Sequence, residues 1–342
     1  MRKLPLLTLL VLGCASSLPA SAQTVLRVSN WLPPTHLITT EILQPWARNV
    51  EKETEGRVKV QIIPALGKPE AHFDLVRKGV ADVAMSVDAY TADRFKLPDA
   101  AKLPFLSDDA TSTTVAYWRI HQKHFAKHGE FDGVKLLTLW THGPGYLHTS
   151  TKPVRALGDA SGLKIRASGG MGQKIAVALG VSPVFAPASQ AYEMLSNGVV
   201  DGVLFNNQSI PAFKIDKILK YALVVPGGLY RDTHYVIMNQ KKYDSLSAED
   251  RAAIDRVSGE TFAWLAGRAW DAGEQSASKV MRDSGYEFIS PSPEFAKQLA
   301  DRLNPLEQEW IERVRPMGID GKAVLVELRA EIEKVRAENA KK

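Results

Sequence analysis

The chain has 342 residues, 45% of them apolar and 24% charged, with a formal net charge of +5. That length can bury a large core in two lobes, and so small a charge, with no basic tract interleaved with aromatics, argues against nucleic acid. Cys14 is the one cysteine, so no disulfide framework is open to the fold.

Residues 1–22 read as a targeting segment. Arg2 and Lys3 form a positive start, Leu6 to Leu12 an apolar stretch too short to span a bilayer, and Ala20-Ser21-Ala22 a small-residue cleavage site. Val11-Leu12-Gly13-Cys14 offers the alternative of a lipoprotein signal acylated at Cys14, with Ala-x-Ala the cleaner grammar. No second long apolar run follows, so a soluble, exported, periplasmic protein is expected. Cleavage after Ala22 removes the cysteine as well.

Thr24 to Ser29 alternates as a strand and runs into the loop Asn30-Trp31-Leu32-Pro33-Pro34-Thr35-His36. Ile42, Trp46 and Val50 recur at four-residue steps and predict a helix over about 38–53. Strands are predicted over 57–63 and 79–87, with a helix over 69–78 between them. The segment 111–128 reads as a helix and 135–141 as a strand ending at His142-Gly143-Pro144-Gly145-Tyr146. This β-loop-helix alternation argues for a mainly parallel α/β sheet.

The alternation restarts at Gly162-Leu163-Lys164-Ile165-Arg166-Ala167-Ser168-Gly169-Gly170. Leu163, Ile165 and Ala167 share one face of a short strand and Lys164, Arg166 and Ser168 the other. Helices follow over 173–179 and 189–197, then strands over 199–205, 222–225 and 234–238, the last two separated by Pro226-Gly227-Gly228-Leu229-Tyr230. From Ser247 to about Ser284 the pattern is helical without a proline, which as one helix spans about 55 Å. One lobe is not that wide, so this helix is expected to bridge two. Helices over 293–314 and 322–340 complete the chain.

Enzyme motifs are missing. There is no Gly-x-Ser-x-Gly elbow, no His-Glu-x-x-His pair and no phosphate-binding Gly-Lys-Ser/Thr loop. Gly170-Met171-Gly172 starts like a dinucleotide fingerprint, but its third glycine would fall on Ile175. His121, His124 and His128 share a helix face at a spacing that suits a metal, yet no carboxylate or cysteine is interleaved and Lys123 and Lys127 stand beside them, so a solvated polar face is the expectation.

Arg166 falls at the carboxyl end of its strand, where open α/β domains gather ligands, and a guanidinium fork holds a carboxylate through two parallel bonds. Trp31, Tyr90, Tyr146, Phe205 and Tyr230 follow strands or sit in Gly/Pro-rich loops. They fit either the core or the walls of an apolar cleft with one charged anchor. Trp46, Trp118, Trp264 and Trp270, at helical spacing, read as core.

Four stretches resemble the solute-binding proteins of tripartite ATP-independent periplasmic (TRAP) transporters, the dicarboxylate-binding DctP-like family. They are Gly56-Arg57-Val58-Lys59-Val60 with Leu66-Gly67, Lys78-Gly79-Val80-Ala81-Asp82-Val83, Gly162-Leu163-Lys164-Ile165-Arg166, and Tyr192-Glu193-Met194-Leu195-Ser196-Asn197-Gly198-Val199-Val200-Asp201-Gly202. Their order and spacing carry the resemblance over the mature chain. It implies an α/β, two-lobed periplasmic binding protein fold with the long helix bridging both lobes: 24–146 with 234–265 in one, 147–233 with 266–342 in the other. It also implies hinge closure on a small organic acid, Arg166 as the carboxylate clamp, a TRAP membrane permease as partner, no cofactor, no catalysis and a monomer.

Two departures from the family matter. Where relatives that bind acidic sugars carry a second Arg, this chain has Gly143-Pro144-Gly145-Tyr146-Leu147-His148. After Asp201-Gly202, many relatives have Gln-Glu-Asn-Pro and this chain has Val203-Leu204-Phe205-Asn206. One fixed cation among apolar replacements favours a monocarboxylate with an apolar or aromatic body. Asn206 and Asn207, with His36, are the candidate hydrogen-bond donors. The binding protein of an ATP-driven transporter and a secreted α/β enzyme are the alternatives.

Overall fold

A computed structural model describes residues 23–341; the targeting segment, its cleavage site and Cys14 lie outside the described residues. Among these, strands β1 (Thr24–Asn30), β2 (Val58–Pro64), β3 (Val83–Val87), β4 (Val134–Thr141), β5 (Gly145–Thr149), β6 (Lys164–Ala167), β7 (Ser182–Phe185), β8 (Gly202–Asn206), β9 (Tyr221–Leu223), β10 (Thr233–Asn239) and β11 (Glu287–Ile289) build two sheets. The first has the order β2-β1-β3-β10-β4 and the second β11-β9-β5-β8-β6-β7. They are the centres of two lobes.

The sheets are mixed. β1, β2 and β3 run parallel, as do β6, β7 and β8. β10 is antiparallel to both β3 and β4, and β5 to both β8 and β9. Both exceptions leave a crossover directly and insert into the middle of a sheet, which local alternation does not encode. β10 is buried at every position.

The two crossovers run side by side. Gly145 N donates to Tyr230 O at 2.9 Å and Leu229 N to Gly145 O at 2.8 Å. Asp232 N donates to His142 Nε2 at 2.8 Å. A Cβ on Gly145 would come within 2.2 Å of the Tyr230 ring, so only glycine lets the crossovers approach this closely.

The long helical pattern breaks in two. A helix over Ala248–Arg256 ends at Val257, and the bridging helix starts at Gly259 and runs to Asp283, about 37 Å. Gly259 has φ +58° and its Cα side faces Trp118, 3.2 Å from a built Cβ, so the chain turns there instead of continuing. The bridging function survives the break. Phe262, Ala266 and Trp270 pack with the first sheet's core, while Met281 packs with Phe205, Ile210 and Tyr286 of the second. Trp46 stacks on Phe262 at 5.4 Å.

The predicted helix over 293–314 likewise splits at Asn304–Pro305 into Pro293–Leu303 and Pro305–Val314. The three histidines do not form a solvated face. His121 is buried among Tyr117, Phe125 and Phe131, and His124 pairs with Glu327 at 2.9 Å. No helix among the described residues is long and apolar enough to cross a membrane.

Candidate functional site

β6 delivers Arg166 to the carboxyl edge of the second sheet, between β7 and β8. The side chain is 1% exposed. Its Nε donates to Ala186 O at 2.8 Å, Nη1 makes a long contact with Leu204 O at 3.5 Å, and the guanidinium lies 4.5 Å over the Phe205 ring. These bonds fix the fork by its stem, and the Tyr90 hydroxyl is a further hydrogen-bond partner of the guanidinium. No ion pair holds it among the described residues.

Around it is a small cavity of about 30 Å³ between the lobes. Trp31, Leu32, His36 and Ile38 come from the segment after β1, and Val87 and Tyr90 from the end of β3. Phe205 comes from β8 and Ala188, Ser209 and Phe213 from turns and a short helix beside the second sheet, His142, Tyr230, Asp232 and His234 from the crossovers and β10, and Trp270 from the bridging helix. Strand ends of both sheets thus converge on one space.

Six of the nine residues singled out from the sequence line this cavity: Arg166, Trp31, His36, Tyr90, Phe205 and Tyr230. Three do not. Asn206 Oδ1 accepts from Ser209 N at 3.1 Å at the start of a short helix, and Asn207 Nδ2 donates to Ser278 Oγ at 2.9 Å on the bridging helix. These bonds serve the loop after β8, while Asn206 Nδ2 and Asn207 Oδ1 are buried without a partner, and Tyr146 is not part of the cavity wall. Trp270, expected in the core, is buried but forms part of the wall.

Sequence reasoning missed Asp232, His142 and His234. Their signal was weak, because all three fall where the chain passes between sheets, a pairing visible only in three dimensions. Asp232 is 7% exposed and its Oδ1 accepts from Ser168 Oγ at 2.8 Å. Burial raises its carboxyl above the ordinary range, against the pull of Lys102, the Ser168 bond and Arg166.

The imidazoles stay neutral. Burial pushes His36 down to about 4 and His142 to about 3, and takes His234 well below the ordinary value. Arg166 is therefore the permanent positive charge on the cavity wall. His36 Nδ1 accepts from Ile38 N at 3.1 Å, which puts its ring proton on Nε2.

A contact between the lobes closes the cavity: Tyr90 Oη accepts from Ala188 N at 3.0 Å. Within the first lobe, Trp31 meets Tyr90 edge-on at 5.9 Å. The turn carrying Tyr90 (Asp88–Thr91) is held from beneath by a buried pair, Lys102 Nζ to Asp88 Oδ2 at 2.7 Å. A cage of rings with one cation suits a small carboxylate with an apolar body. No nucleophile with its base lines it.

The chain matches the profile described as bacterial extracellular solute-binding protein, family 7 (DctP), over residues 28–313. It is 32% identical over 325 residues to a protein of Comamonas testosteroni named outer membrane transporter protein TsaT, covering 92% of this chain and 95% of that one. A TRAP periplasmic solute-binding protein from Bordetella bronchiseptica, solved with bound (R)- and (S)-mandelate, is 42% identical with a TM-score of 0.89, covering 91% of this chain and 99% of that one. Another from Rhodoferax ferrireducens, in complex with copurified benzoate, is 27% identical with a TM-score of 0.86, covering 93% and 100%. These structural relatives are solute-binding proteins rather than enzymes. The chain belongs to the DctP family, the periplasmic solute-binding proteins that serve TRAP transporters with their membrane permease.

Proposed function

We propose that this protein captures a small aromatic monocarboxylate in the periplasm, holds its carboxylate on Arg166, and hands it to a TRAP permease. The observation that carries this reading is Arg166 itself, a buried guanidinium without an ion pair among the described residues, opening onto a cavity walled mainly by rings. Mandelate and benzoate, bound by the two relatives, belong to this chemical class. With one fixed cation, a second carboxylate would be buried unpaired, at a cost of several kcal/mol. The first 22 residues are removed on export, with cleavage after Ala22.

A thermal-shift panel tests the reading. Benzoate, mandelate and phenylacetate should each raise the melting temperature, since a ligand at a hundred times its Kd adds about 2.7 kcal/mol. A panel in which only C4-dicarboxylates or sugar acids stabilise the protein overturns it. Mass spectrometry of the exported protein checks the cleavage site.

A further inference from the structure

The rings of the cavity join into a belt. On one side Phe205 stacks on Phe213 at 5.8 Å, Phe213 meets His36 at 5.4 Å, and His36 meets Trp270 at 6.4 Å. On the other side Tyr230 meets His142 at 5.4 Å, and His142 meets Trp270 at 5.9 Å. Arg166 completes the circuit, lying over Phe205 and sharing Leu204 O with the Tyr230 hydroxyl. Trp270 is therefore reached from Arg166 through intervening rings by either route. In ring order it lies on the far side of the belt from Arg166.

Polar groups on that side are unanswered. Trp270 Nε1 and His234 Nδ1 are buried with no hydrogen-bond partner, on side chains 2% and 6% exposed that line the cavity. The two rings lie 6.0 Å apart, and His234 is held flat against Trp140 at 5.5 Å. The nearest polar atoms are engaged elsewhere: His142 Nε2 is taken by Asp232 N and its Nδ1 by Gly143 O, while Asp232 Oδ1 is taken by Ser168, just after the Arg166 strand.

An indole N–H only donates, whereas a neutral imidazole nitrogen can accept. A group that satisfies both must accept from one and donate to the other, as a hydroxyl does. Each orphaned buried group costs about 1–3 kcal/mol, so a ligand that answers both gains over one that answers neither. We propose that Trp270 and His234 form a hydroxyl-reading subsite, which selects aromatic acids hydroxylated on the ring, meta or para to the acid-bearing carbon. The hydroxyl oxygen accepts from Trp270 Nε1 and its proton goes to His234 Nδ1. This assignment rests on Arg166 holding the carboxylate on the other side of the belt.

Four acids separate the possibilities by titration calorimetry on the whole protein: phenylacetate, 3-hydroxyphenylacetate, 4-hydroxyphenylacetate and mandelate. At least one ring-hydroxylated acid should bind about tenfold or more tightly than phenylacetate, the factor expected from one good hydrogen bond. In both Trp270→Phe and His234→Phe that gap should collapse, read within each variant as the ratio of hydroxylated-acid to phenylacetate affinity; His234→Phe keeps the stack on Trp140 and serves as the check if Trp270→Phe folds poorly. Equal binding of all four, a gain confined to mandelate, or a gap that survives both variants overturns the subsite and leaves the carboxylate reading standing. Binding of none of the four overturns both.

Discussion

Replacing Arg166 gives the sharpest test of how this protein holds an acid. The guanidinium donates through Nε to Ala186 O at 2.8 Å and has one long contact at 3.5 Å to Leu204 O, with no ion pair among the described residues. Truncation to alanine leaves a bound carboxylate buried without its partner, which costs roughly 2–5 kcal/mol. At about 1.4 kcal/mol per decade, Kd rises between about 30-fold and several thousandfold. Lysine keeps the charge but neither the fork nor the Ala186 bond. Losing one charge-assisted hydrogen bond costs about 1.5–3 kcal/mol, so Arg166→Lys should weaken binding by roughly 10- to 150-fold.

Arg166→Met separates recognition from stability. It removes a charge that the folded protein buries without an ion pair, and an isolated buried charge is unfavourable. The ligand-free melting temperature should therefore hold or rise while binding is lost. Calorimetric titration with benzoate, beside thermal melts of each variant, reads both quantities. Unchanged affinity in Arg166→Ala refutes the clamp. Loss of binding only in step with collapse of the melting temperature in all three variants would make Arg166 a structural residue.

A Cβ on Gly169 would stand 2.2 Å from Ala89 O across the cleft, so Gly169→Ala should block full closure and weaken binding about tenfold or more without lowering the ligand-free melting temperature; undiminished affinity rules out closure at this contact. Tyr90→Phe deletes the hydroxyl that accepts from Ala188 N and should speed ligand release by about fivefold, the worth of a bond near 1 kcal/mol, with stopped-flow displacement as the readout. Buried Glu274 accepts from Asn207 N and Gln208 N, and burial pushes its carboxyl from 4.5 up to about 8. The folded state then binds the proton more tightly than the unfolded one, so this group's stabilisation is full below about pH 4.5 and is lost as pH rises toward 8, by at most about 1.4 kcal/mol per pH unit. Glu274→Gln should flatten that slope in denaturant titrations from pH 5 to 9, and a slope identical to the parent's refutes it.

Arg166, Phe205 and Tyr90 stood out because the first two lie at the carboxyl ends of strands and the third just beyond one, and strand carboxyl ends are where such sheets bind. Strands β5 and β7 were not legible. β5 begins at Gly145 directly after Gly143-Pro144, which reads as a turn, and β7 holds Pro183 at the sheet edge, so neither shows a strand pattern. Asn206 and Asn207 looked like ligand donors because they lie at a strand end beside Phe205. The chain uses the Asn206 oxygen to start the next helix and the Asn207 amide nitrogen to reach Ser278, while Asn206 Nδ2 stays buried without a partner. The break at Val257–Ser258 was hidden because Gly259 alone is a weak stop signal, and its φ of +58° is settled by packing against Trp118. Asp232 and His234 stayed invisible for a broader reason. Their position depends on which strand of which sheet the second crossover enters, and pattern within a strand does not carry that.

The same features explain why binding and closure are coupled. The shut form rests on a few polar contacts between the lobes, Tyr90 to Ala188 and Ser168 to Asp232, and on Gly169 lying against Ala89. Against them stands the cost of removing the Arg166 guanidinium from water, answered by backbone carbonyls, the Tyr90 hydroxyl and the Phe205 ring but by no ion pair among the described residues, the Asp232 bond going to Ser168. On the proposed reading, a ligand carboxylate supplies the missing counter-charge in the shut form alone, because in an open cleft water solvates the arginine. The ligand therefore has a higher affinity for the shut state, which is the one property that lets it shift the equilibrium. A neutral analogue of the same shape, such as the acid's primary amide, fills the ring belt without that charge. It should bind weakly and leave the lobes apart, even where every apolar contact is preserved.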